Sequence, residues 1–161
     1  MFKISKNFSL NELTKSATAT RLDIDNSPSP AHLVPMTALC HIILQPVWEK
    51  GGVVSVNSCY RSPDLNAAVR GSSKSQHCKG EAADIECLGG ISNDLLATWI
   101  VKNLPLDKLI LEYFDPSKKS VTDLQKTLYG SDELKEPSLN NKAPSSFCFS
   151  ISRILFFTSV Y

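Results

Sequence analysis

Apolar side chains at Met36, Leu39, Ile43 and Val47 recur at helical spacing, with Ile42 beside them, and this pattern predicts a core helix over residues 35–50. His41 falls on the opposite face and is expected to point at water. Pro46 lacks a backbone donor, so the last turn is expected to kink or shorten before Gly51-Gly52 ends the helix. A second helix is expected from a cap at Asn93 to about Asn103, with Leu95, Leu96, Trp99 and Ile100 as its buried stripe. Ser9 opens a short helix, because Ser9-x-x-Glu12 is a capping box flanked by the staple pair Phe8 and Leu13. Ser62, Pro63 and Asp64 start another, running to about Val69 before Gly71.

Three segments read as strands. Valines dominate residues 53–58; residues 81–86 alternate, sending Ala83 and Ile85 into a core and leaving Asp84 on a face with Ala82 and Glu86; and residues 108–114 place Ile110, Glu112 and Phe114 on one face. Residues 22–35 carry three prolines and read as a surface loop in which His32 is solvated. After Pro116 the chain becomes polar, with a short helix expected around residues 121–128 and an apolar run at 150–161 that has no evident partner. The expected division is a domain over residues 1–116 and a divergent tail over 117–161. The order of elements predicts an α+β fold, a small sheet flanked by helices.

Composition narrows the function by exclusion. The 161 residues suit one domain, and 42% hydrophobic content supports a sizeable core. Seventeen basic and sixteen acidic residues give a net charge of +1, so neither nucleic acid nor an anionic membrane is an expected partner. The five cysteines are odd in number and lack a C-x-x-C pair, which predicts reduced thiols. The N-terminus shows no secretory pattern and no apolar run reaches the ~18 residues of a membrane span, so synthesis in a cytoplasm is expected.

The candidate chemistry lies in residues 75–84, Ser-Gln-His-Cys-Lys-Gly-Glu-Ala-Ala-Asp. His77 and Asp84 are both good zinc-ligand types, and the small residues between them leave room for an ion. On spacing alone the pair is either two metal ligands or a loop histidine and a strand-end aspartate that meet no metal. Arg61, in the turn after a strand, presents a planar fork suited to a carboxylate.

These ten residues resemble the S-x-H-x-x-G-x-A-x-D signature of the zinc D-Ala-D-Ala carboxypeptidase family, which has the Hedgehog/DD-peptidase fold, and every fixed position is present. Residues 8–16, Ile24-Asp25-Asn26 and Ser58-Cys59-Tyr60-Arg61-Ser62-Pro63 are similar to segments of its small bacteriophage members, so the resemblance covers residues 8–116. It implies zinc-dependent cleavage of peptidoglycan peptides at the bacterial cell wall, after release or as part of a phage particle. His77 and Asp84 would be zinc ligands, Arg61 would bind a substrate carboxylate or carbonyl, Ser75 and Gln76 would line the site, and Glu112 would be the general base or a partner of the metal.

The chain departs from this pattern in one large respect. Family members carry a W-x-H pattern on a late strand that supplies a third ligand, and none follows Phe114 here. The expectation is a tail that has diverged, been replaced or been read in a shifted frame. Glu112, Asp115, Asp123, His32 and Cys148 are the available substitute ligands. The competing function is a non-catalytic cell-wall-binding or morphogenesis module, or an inactive product.

Overall fold

The computed structural model describes residues 2–88, 91, 93–112 and 148–154. Among them are six α-helices: α1 (Leu10–Thr14), α2 (Ala17–Leu22), α3 (Pro30–Leu39), α4 (Gln45–Gly51), α5 (Pro63–Ala68) and α6 (Asn93–Asn103). Four strands, β1 (Val54–Ser58), β2 (Ala82–Cys87), β3 (Leu106–Glu112) and β4 (Cys148–Ile154), form one sheet in the order β1-β2-β4-β3. Every neighbouring pair is antiparallel. The fold is α+β, as the pattern predicted.

The capping box at α1 forms as read: Ser9 Oγ accepts from the Glu12 amide, while Glu12 Oε2 accepts from the Ser9 amide at 2.8 Å. Phe8 and Leu13 are both buried beside it. Ser62 likewise caps α5, its Oγ accepting from the Leu65 amide at 3.3 Å.

The predicted loop over residues 22–35 ends early, because α3 already starts at Pro30. Proline at the first helical position gives up no bonded donor, and Ser29 caps the turn, so Pro30 starts a helix instead of blocking one. His32 is therefore half-buried in a helical first turn, its ring centroid 5.0 Å from that of Tyr60, and not in a solvated loop.

Pro46 does not shorten the helix. Helix runs continuously over Pro30–Gly51, and the missing donor is absorbed by a π-helical stretch, Cys40–Leu44, in which the Gln45 amide reaches back to the Cys40 carbonyl. By length and composition this helix could cross a membrane. In this fold it forms the core: Met36, Leu39, Ile43, Leu44 and Val47 are fully buried and pack with Val56, Ala83, Ile85, Leu96 and Ile100. Gly51 permits close approach of β2 and α6, since a Cβ there would stand 2.8 Å from Cys87 Sγ and 2.9 Å from Leu96 Cδ2.

Helix α6 has the predicted ends, but its buried face is Leu96, Ala97 and Ile100. Leu95 is exposed and Trp99 only partly buried, so the apolar stripe is narrower than the four-residue reading. The apolar run near the C-terminus does have a partner. Cys148–Ile154 lies between β2 and β3, pairing with both, which periodicity cannot reveal across some 35 intervening residues. Phe114, Asp115, Asp123 and the expected helix at 121–128 lie outside the described residues.

Candidate functional site

Strand β1 carries a bulge that decides which residue faces Asp84. Val56 pairs with Ile85, yet Asp84 pairs with Ser58, so Asn57 is the extra residue. Arg61, three residues beyond Ser58, turns back so that its Nε donates to Ser58 Oγ at 2.8 Å and its Nη2 donates to Asp84 Oδ2 at 2.9 Å. Asn26 fastens this turn from below: its Nδ2 donates to the Thr14 and Tyr60 carbonyls, and its Oδ1 accepts from the Ser62 amide at 2.7 Å.

His77 comes from the short 3₁₀ turn Gln76–Lys79 that precedes β2. Two bonds stitch this turn to residues 59–61: the Arg61 amide donates to the His77 carbonyl at 3.2 Å, and His77 Nδ1 lies 2.6 Å from the Cys59 carbonyl oxygen. A carbonyl only accepts, so Nδ1 carries a proton and the ring turns its Nε2 toward Asp84. Nε2 stands 3.3 Å from Asp84 Oδ1. A lone pair and a carboxylate oxygen face each other stably only when a proton or a cation lies between them.

Gly80 and the alanines after it have structural reasons of their own. Gly80 has φ +73°, and a Cβ on it would come 2.6 Å from Met36 Cγ and 2.9 Å from the His32 carbonyl oxygen. Ala82 and Ala83 are fully buried against the core. The motif's small residues thus let the turn bearing His77 lie directly on α3.

His77, Asp84 and Arg61 are brought together with side-chain exposures of 10%, 17% and 20%, low enough for their attractions to be only partly screened by water. Ser75 and Gln76 flank His77; their carbonyls accept from the Cys78 and Glu81 amides and so build the turn. Glu112 is the β3 partner of Cys148, which pairs in turn with Glu86. Its backbone is thus two strands across and two residues along from Asp84, on the same sheet face. His32 is engaged elsewhere, its Nδ1 3.0 Å from Ser29 Oγ. Among the described residues no group of three or more His, Cys, Asp or Glu side chains is placed to hold a metal ion.

Ser58 and the Cys59 carbonyl were not singled out in the sequence as parts of the site. A carbonyl's role leaves no trace in residue identity, and Ser58 reaches Arg61 and Asp84 only through the bulge. Cys59 itself is wholly buried, and burial, with smaller effects from Cys40 and Asp84, pushes its thiol up to about 12.

The family model of peptidase M15 matches residues 6–113, about two thirds of the chain. The chain belongs to the peptidase M15 family. No curated protein matches it. The M15 match spans α1 through β3 and the whole His77, Asp84 and Arg61 constellation, and stops short of β4.

The donor set of this M15 member can be tested against the zinc on which the family depends. Two ligands each ~2.1 Å from a tetrahedral zinc stand about 3.4 Å apart, close to the 3.3 Å between His77 Nε2 and Asp84 Oδ1. A carbonyl holding the far nitrogen of a ligand imidazole is also the usual outer partner in zinc sites. The pair fits one edge of a zinc site.

Proposed function

We propose that this chain is a zinc-dependent peptidase of peptidoglycan peptides, acting at the bacterial cell wall, with His77 and Asp84 holding the metal. The observation that carries the reading is the 3.3 Å approach of His77 Nε2 to Asp84 Oδ1, with Nδ1 tied to the Cys59 carbonyl. When bound, zinc supplies Lewis-acid chemistry suited to amide hydrolysis.

The chain's own groups then have distinct tasks. The Cys59 carbonyl holds the imidazole in one tautomer and one orientation. Arg61, pre-oriented by Ser58, offers its fork to a substrate carboxylate or carbonyl while one arm stays on Asp84. Ser75 and Gln76 form the rim beside His77. Glu112, at a β3 register position on the same sheet face as Asp84, is the proposed proton acceptor.

A second reading is a wall-binding module without turnover. It is favoured by the Arg61–Asp84 ion pair, which already neutralises the carboxylate, and by the two-donor set among the described residues. Incubating the zinc-loaded protein with purified peptidoglycan separates the two. Release of soluble peptides or free amino acids supports the peptidase; co-sedimentation with the wall and no release supports the binding module.

A further inference from the structure

We infer that Asn66 is a positioning residue of the His77 site, gripping the segment that delivers the histidine. Its bearing on metal rests on the zinc reading above; its geometry does not.

Helix α5 places its closing glycine one residue late. The Gly71 amide donates to the Asn66 carbonyl at 2.8 Å and the Arg70 amide to the Ala67 carbonyl at 2.9 Å, the paired bonds of a Schellman ending. The left-handed position of that ending ordinarily holds glycine, yet Arg70 takes it with φ 57°, and the glycine follows at 71 without a positive φ. The reason lies in the Asn66 side chain. A Cβ on Gly71 would overlap the Asn66 amide, coming 2.7 Å from its Cγ, so glycine at 71 serves close approach.

That approach lets Asn66 hold two consecutive residues. Its carbonyl takes the Gly71 amide, and its Nδ2 donates to the Ser72 carbonyl at 2.9 Å. Among the described residues these are the hydrogen bonds that tie residues 71–75 to α5. The bonds from the Lys74 amide to Ser72 Oγ and from the Ser75 amide to the Ser72 carbonyl are internal to the segment. Ser75 passes the restraint on, its carbonyl accepting from the Cys78 amide in the turn that bears His77. At the other end of α5 the Asn66 amide donates to the Ser62 carbonyl, in the turn that carries Arg61. One residue thus links both halves of the site.

Asn66 is 4% exposed, and among the described residues its Oδ1 has no hydrogen-bond partner. A buried oxygen left unpaired lowers stability, while the Ser72 carbonyl already accepts from the Ser75 amide. Stability alone therefore favours an apolar residue at 66. Asparagine keeps the one group an apolar residue lacks, the Nδ2 donor, and aspartate of the same shape would turn a second acceptor on Ser72.

Trading the amide at 66 for a methyl group at 71 tests this. Gly71→Ala is expected to lower the melting temperature of the full chain by roughly 5 °C, because the new methyl meets the Asn66 amide. Adding Asn66→Ala opens that space and removes the unpaired oxygen, so the double variant is expected to recover most of the loss. It still lacks the grip on Ser72. In the metal-free double variant the Nδ1 proton of His77, bonded to the Cys59 carbonyl in the wild type, is expected to broaden or vanish from the nitrogen-correlated NMR spectrum. Zinc affinity, read by competition against a chromophoric chelator, is expected to fall about tenfold, the lower end of what losing a partner that orients a ligand costs. A double variant no more stable than Gly71→Ala, or a stable one that keeps the wild-type Nδ1 resonance, overturns the inference. Failure of the zinc reading itself looks different: the wild-type chain then binds no zinc, while the Nδ1 proton still reports on Asn66.

Discussion

The Nδ1 atom of His77 and the guanidinium of Arg61 are both fixed by groups that do no chemistry themselves, the Cys59 carbonyl and the Ser58 hydroxyl. Arg61→Ala removes the donors to Ser58 and Asp84 and leaves a mostly buried carboxylate without its guanidinium. The expected cost is about 1.5–3 kcal/mol, read as a lower denaturant midpoint with unchanged m value. Cys59 makes a second prediction. Its thiol ionises near 9.0 when unfolded but only at about 12 when buried, so below pH 9 both states hold the proton and pH has no leverage. Above that the unfolded chain binds fewer protons than the folded one, so stability falls as pH rises from 9.0 toward about 12. Burial raises the Cys40 thiol in the same direction. Chemical denaturation at a series of alkaline pH values checks the slope, which Cys59→Ala should reduce. At this scale His77, Asp84 and Arg61 were legible in the sequence as chemistry-bearing types near one another. Ser58 and Cys59 were not, because one acts through a bulge and the other through its backbone.

The turn at residues 76–80 is the element on which the site depends, and Gly80 is the position in it that admits no side chain. Gly80→Ala must hold an L side chain at φ +73° and push it against Met36 and the His32 carbonyl. A loss of about 2 kcal/mol or more is expected, measured as a drop in melting temperature and accompanied by weaker metal binding as His77 shifts. The helices and the first two strands were readable from periodicity and caps, since Ser9, Ser62 and the Met36–Val47 spacing act locally. The start at Pro30, the π-helical turn before Pro46 and the exposure of Leu95 were not. The first two turn on how a proline is accommodated, Pro30 at a capped first position and Pro46 through the π-helical stretch, and the third on the limited width of the face that α6 presents to the core.

For the molecule as a whole, the family match ends at residue 113 while the sheet is completed by Cys148–Ile154 between β2 and β3. A chain ending at Pro116 would leave both of those strands with open edges on the sheet's interior side. Such a truncation is expected to lose cooperative unfolding and to aggregate, as checked by calorimetry and light scattering; a cooperative transition equal to that of the full chain would contradict the central placement of β4. The overall α+β class was legible because local patterns set most elements. The sheet order was not, because pairing across so long a separation depends on which edge the later strand can reach, and no period records that. The central claim remains the metal site, and equilibrium zinc binding tests it most directly. The account predicts one zinc per chain in the wild type, lost in both His77→Ala and Asp84→Ala. Stoichiometric zinc retained in those variants, or no zinc bound by the folded wild type, would contradict it.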